Sequence, residues 1–301
     1  MVEVARPGPL EEAQIAGRGR RTWGRRLFFS ILRNPLGLAG LLLVLTLVVV
    51  GGLAPFIAPF GQNESAGIPF RDPSWGHPFG TDQFGRDIMS RVIFGARISL
   101  AVGFLSVIGG TLVGTTIGMV SGYFGGWVDN LIQRVVDTAM AFPGLILLLL
   151  IVSVLGPSMK NVIIVIGVGI IPGVSRVIRG AVLAEKHSQY IEAAQATGAS
   201  SARVLFRHLA PNIAPLAIVI ATTLLAGAIL AEAALSFLGL GVPPPNPSWG
   251  ADVSLARNAF PIHIWWAFFP GLAIALTVLG FNFLGDALRD ILDPRLRGVT
   301  R

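Results

Sequence analysis

Long apolar runs alternate with polar segments along the whole chain. Leu36 to Ala58 carries no charged residue, and neither does Ile98 to Val128. Thr138 to Met159, Ile213 to Leu238 and His263 to Gly285 are similar, with Glu232 the one ionisable residue deep inside a run. Asn161 to Ser175 is shorter, and reaches about Gly180 if Arg176 and Arg179 snorkel at its end. A helix that crosses a bilayer needs about 20 mostly apolar residues. The pattern therefore predicts an all-α integral membrane protein with six spans.

Charge orients those spans. With the N-terminus inside, the inside segments 1–35, 123–138, 176–211 and 286–301 hold 17 Lys and Arg, against six outside. Basic residues concentrate on the cytoplasmic side, so both termini are expected there, in a multi-pass protein of the cytoplasmic membrane. The outside loop 59–98 holds four Arg, offset by Glu64, Asp72, Asp82 and Asp87. The basic start, RGRRTWGRR, leads into a span-length run without a nearby small-residue cleavage site, so an uncleaved first helix is expected. The tail before it is expected to be loose to about Gly19.

Composition agrees with the membrane reading. The 301 residues are 53% hydrophobic and 13% charged, where soluble domains average about 25% charged. The net charge of +7 comes almost wholly from Arg. No basic and aromatic alternation accompanies it, so nucleic acid is not an expected partner. There is no cysteine, and the four histidines are scattered with no pair at i, i+4. A thiolate site is excluded and a histidine metal site is disfavoured. Two Pro- and Gly-rich loops, 55–80 and 239–250, share a short repeat, DPSWG and NPSWG. Turn chemistry accounts for it, and a pseudo-symmetric pair is the alternative.

Gly110, Gly114, Gly118 and Gly122 recur every fourth residue and draw one ridge along a helix. Small residues there let helix backbones approach closely. Leu43, in the first span, is expected to face lipid. Glu232 is costly in a span and hence a functional candidate. Near the outer end of its helix, it can equally cap that end or pair locally.

An energy source is missing from the chain. A phosphate-binding loop needs Gly-x-x-x-x-Gly-Lys, and neither Lys160 nor Lys186 follows a glycine. Hydrolase and metalloprotease motifs are also absent, so no enzyme and no cofactor are expected. The polar stretch IEAAQATGASSARVLFRHLAPN (191–212) stands out between the apolar runs. Residues 181–196 are good helix formers. Gly198 suits a helix end, and Ser200 or Ser201 can cap a second short helix through Arg207. Pro211 then opens the next span. Two short helices joined at a glycine read as a docking element.

Glu192-Ala193-Ala194, Gly198 and Pro211 resemble the EAA loop of bacterial ABC importer permeases. That pattern has an aliphatic residue where His208 stands and Leu where Ala210 stands; the run FRHLAPN resembles the peptide-importer variant. HPFGTDQFGRDIMSRVIFGARISL (77–100), AEAALSFLGLGVPPPNPSWG (231–250) and NFLGDALRDILDPRLR (282–297) resemble the C-type permease of dipeptide and oligopeptide importers. Related permeases serve nickel, glutathione and oligosaccharides.

The resemblance implies a type I importer with the MetI-like fold. It implies a paralogous permease as heterodimer partner, two ATP-binding subunits, an extracytoplasmic substrate-binding protein and a peptide substrate. Glu192, Ala193, Ala194, Gly198, Arg203 and Arg207 would couple to the ATPase. The expected division is a tail at 1–35, an N-terminal helix and extracytoplasmic loop at 36–95, and a permease domain at 96–298 with its loop at 180–211. The rival from another class is a channel or ion-coupled transporter. It should show ionisable residues in several spans or an inverted repeat.

Overall fold

The computed structural model describes residues 31–292. The basic tail, expected from sequence to be loose, and the last of the three resembling stretches from Asp293 onward, lie outside them. The described residues are helical apart from loops, with three isolated bridges and no strand.

Helix α1 (Pro35–Gly52) begins where the Asn34 side-chain Oδ1 accepts from the Leu36 and Gly37 amides at 3.1 and 3.3 Å. Proline at its first position loses no helical hydrogen bond. A single turn, α2 (Ala54–Ile57), completes the apolar run. Helix α3 (Ile88–Phe124) starts ten residues earlier than the charge-free run suggested. Asp87 caps it by accepting from the Ser90 amide at 2.8 Å, and Arg91 fits inside it because its guanidinium is paired. Gly125 and Gly126, at φ 63° and 54°, turn the chain into α4 (Gly126–Met140).

The third span corrects the expectation of one straight helix over 138–159. Helix α4 meets α5 (Gly144–Leu155) at a 92° bend. Pro143 causes the break: it has no amide to donate, and it biases the preceding residue away from helix. Among the described residues, five helices are long and apolar enough to cross a membrane, or six if the bent pair is one span.

Helix α6 (Met159–Glu185) is longer than predicted. Arg176 and Arg179 do not end it by snorkelling; they pair with Asp137 and Asp129 of α4. After the polar stretch come α7 (Gln189–Ala196), α8 (Ser201–Arg203), a π-helical turn (Val204–Leu209) and α9 (Ala210–Phe237). A short α10 (Trp249–Ala256) precedes α11 (Ile264–Leu292), which runs two turns past Gly285.

The closest helix pair is α3 on α6. Gly110, Gly114, Gly118 and Gly122 all face α6, where an added Cβ would meet Gly167, Val174, Ser175 and Val182 at 2.5–2.9 Å. Helix α1 lies on α11 the same way, with Gly40 against the backbone of Gly280 and Leu284. Leu43 is corrected here: it is partly buried, its Cβ 3.0 Å from where a Cβ on Gly280 would sit, whereas Leu45 is 54% exposed.

The two PSWG repeats differ in burial. Trp75 is fully exposed, while Trp249 is buried and donates its indole N–H to the Val92 carbonyl at 2.9 Å. Two arginines of the basic loop 59–98 are paired, one within the loop and one with Asp252 beyond it. Arg86 pairs with Asp82 at 2.6 Å, and Arg91 donates twice to Asp252 at 3.0 and 2.5 Å. His77 Nδ1 lies 3.0 Å from Asp87.

Candidate functional site

The polar stretch forms a compact knob at one end of the bundle. Helix α7 ends in a glycine turn. Gly198 has φ 81°, its amide donates to the Gln195 carbonyl at 2.9 Å, and the Ala199 amide donates to the Ala194 carbonyl at 3.0 Å. This paired 5→2 and 6→1 closure uses the carbonyls a helix end leaves open. Ser200 then caps α8 by accepting from the Arg203 amide at 3.4 Å.

One local expectation fails. No break separates the second short helix from the span. Ser201 to Phe237 is one helical run, with the π-helical turn just before Pro211. In a regular helix the Pro211 ring would clash with the carbonyl four residues back, at Arg207. A wider turn there relieves the clash and keeps the helix continuous.

Inward residues make the knob rigid. Ile191, Val204, Leu205 and Leu209 are buried with Met119, Val174, Ile178 and Val182 from α3 and α6. The Asn212 amide donates to the Tyr190 hydroxyl at 2.8 Å and ties α7 to α9. Ala194 is buried too, so it positions α7 rather than presenting a contact.

Outward residues are of a different kind. Glu192, Ala193, Arg203 and Arg207 are exposed, and no ion pair forms among them. Phe206 stands between the two arginines in sequence and is 63% exposed. Sequence reading passed over it. Its signal is a large aromatic side chain that stays outside a cluster receiving its neighbours Val204, Leu205 and Leu209.

Behind the knob, Asp129 of α4 accepts from Arg179 of α6 at 2.5 and 2.6 Å and from the Ser121 hydroxyl of α3 at 2.5 Å. The broken span is thereby tied to the helix that leads into α7. Beside the break is a cavity of about 360 Å³, walled by residues including Phe142, Gly144, Gly169, Pro172 and Gly227. No charged residue lines it, so it can select by shape but not by ion pairing.

Glu232 is fully buried near the far end of α9. Its carboxylate accepts from the Ser99 hydroxyl at 3.0 Å and the Ser236 hydroxyl at 2.8 Å. It has no cationic partner in the described residues. They also contain no group of three or more His, Asp or Glu suited to a metal.

Residues 114–298 match the family described as binding-protein-dependent transport system inner membrane component. The chain belongs to that family. Residues 22–73 match the N-terminal transmembrane domain of oligopeptide transport permease C. The chain is 42% identical over 275 residues to the dipeptide transport system permease protein DppC of Alkalihalophilus pseudofirmus, covering 91% of this chain and 90% of that one. It is 40% identical to the glutathione transport system permease protein GsiD of Pectobacterium atrosepticum, covering 94% and 95%. A putative peptide transport system permease protein of Brucella abortus is 39% identical, covering 99% of each. Among solved structures, a chain of the MetNI methionine ABC transporter in inward-facing conformations superposes with a TM-score of 0.54 at 21% identity, covering 71% of this chain and 98% of that one. The fold is thus the expected MetI-like one, and the chain is a multi-pass inner-membrane transport component.

Proposed function

We propose that this chain is one permease subunit of an ATP-driven importer of dipeptides and oligopeptides. Two separate ATP-binding subunits would drive it, a paralogous permease would complete the pathway, and an extracytoplasmic binding protein would deliver the substrate. The chain itself does no covalent chemistry. It moves its substrate inward by alternating access, with the knob on the cytoplasmic side.

The observation that carries this reading is the knob: a rigid apolar base bearing unpaired charges and an exposed aromatic side chain. Glu192, Ala193, Arg203 and Arg207 would meet the ATPase, Phe206 would enter its cleft, and Gly198 would hold the angle between the two helices. Desolvated charge pairs and a central aromatic residue are what hold tight interfaces together.

Glutathione is the second reading, supported by the similarity to the GsiD permeases. The test is purification of the tagged chain from its own membranes, followed by uptake of a radiolabelled dipeptide and of glutathione. Co-purifying ATPase and dipeptide uptake are expected. Uptake of glutathione alone would reassign the substrate. Substrate movement without any ATPase would favour an ion-coupled carrier.

A further inference from the structure

The far end of α9 is built around Glu232. Ser99 comes from α3 and Ser236 from α9 itself. Ser248, in the segment leading into α10, is fully buried, and its Oγ accepts from the Ala251 amide at 3.3 Å. Two hydroxyls from two helices therefore converge on one buried carboxyl group. Losing that acceptor leaves the buried hydroxyl donors unsatisfied.

The segment 238–250 is folded hard onto this hub. Gly239 closes α9 with φ 80°, and the Val242 amide donates to Ser236 Oγ at 3.4 Å. A Cβ on Gly250 would lie 2.2 Å from the Ala233 carbonyl oxygen, and one on Gly95 would lie 2.8 Å from Trp249. Ser254 donates to the Phe237 carbonyl at 2.6 Å. At its other end, the same rod is the knob: Ser201 to Phe237 is unbroken. Glu232 stands about 45 Å along it from Ser201, at 1.5 Å per residue.

We propose that Glu232 is a positioning residue that locks segment 238–250 and α3 to the end of α9. Movement of the knob then reaches the opposite end of the bundle as a rigid-body displacement. The clamp itself stands on geometry alone; its consequence for transport rests on the importer reading.

The chain has no cysteine, so accessibility can be read at single introduced thiols. Val242→Cys sits in the clamped segment, where Val242 is 3% exposed. Val152→Cys, at a fully buried site on α5, is the control. Both are labelled in membranes with a small maleimide. With Glu232→Ala, labelling at position 242 is expected to rise about tenfold or more while position 152 stays protected. Glu232→Gln, which keeps the shape and can still bond the hydroxyls, is expected to protect both. In the assembled transporter, Glu232→Ala is expected to keep basal ATP hydrolysis and lose most of its stimulation by the binding protein. Protection of position 242 in Glu232→Ala would overturn the clamp. Exposure of both positions would also overturn it, by making Glu232 a general fold determinant. If the parent neither imports peptide nor retains an ATPase, the importer reading fails, and the labelling still decides the clamp.

Discussion

A Cβ built on Gly118 would stand 2.5 Å from the Ser175 carbonyl oxygen. Real Cβ atoms do not approach a backbone oxygen that closely, so the α3–α6 contact exists only with glycine there. Gly118→Leu is expected to lower thermal stability in detergent by about 1–3 kcal/mol, the usual cost of overpacking. Leu45→Val, on an exposed face of α1, is expected to change little. Equal melting of Gly118→Leu and the parent would show that the two helices can separate freely.

Arg91 and Asp252 are 161 positions apart and their side chains are only 5% and 2% exposed. Arg91→Met should destabilise the end of the bundle that carries α10 by about 3–5 kcal/mol, because it leaves a buried carboxylate without its partner. The double variant Arg91→Met with Asp252→Leu should recover much of that loss. A thermal-melt double-mutant cycle measures both. Additive losses would mean that the pair is not coupled.

Glu192 is exposed and unpaired among the described residues, so Glu192→Lys is expected to leave folding and membrane level intact. Retention of the ATPase on the tagged chain is expected to fall, by about 2–5 kcal/mol of interface energy. Uptake should fall with it. Parental ATPase retention and uptake in this variant would remove Glu192 from the docking surface.

Gly198 works differently, through backbone shape. At φ 81°, valine costs about 1–2 kcal/mol or more, since a side chain disfavours that region. Gly198→Val should disturb the angle between α7 and α8. Weakened ATPase retention, out of proportion to a fall of about a few degrees in melting temperature, is the expected pattern.

The orientation expected from the arginine distribution is tested with two exposed positions, Asn246 and Ser200. Asn246→Cys is expected to react with an impermeant thiol reagent in intact cells, and Ser200→Cys only after lysis. The reverse pattern would invert the chain in the membrane.

Much of the knob was legible locally. The glycine turn at 198 and the Ser200 cap depend on residues within five positions of one another, and such short-range signals survive any tertiary context. Pro143 was also visible in sequence, but not the 92° bend it marks. The bend angle depends on how α5 packs on α6, and proline alone only removes a hydrogen bond. The unbroken path from α8 into α9 was missed because Pro211 reads as a helix start. A π-helical turn satisfies the same steric demand without ending the helix.

The sequence by itself determined the solvent and the class of fold. Runs of about 20 apolar residues have no stable place in water, and their backbone must be helical in lipid. It also determined that the chain cannot hydrolyse ATP at a phosphate-binding loop, since no glycine precedes either lysine. Tertiary structure alone decided how distant polar groups are paired. Two copies of PSWG put one tryptophan in solvent and the other in the core. Arg91 found Asp252, and Glu232 found Ser99, 133 positions away. These pairings carry no periodic signal. They arise because a buried polar group must be satisfied by whatever partner the packing of helices brings within about 3 Å.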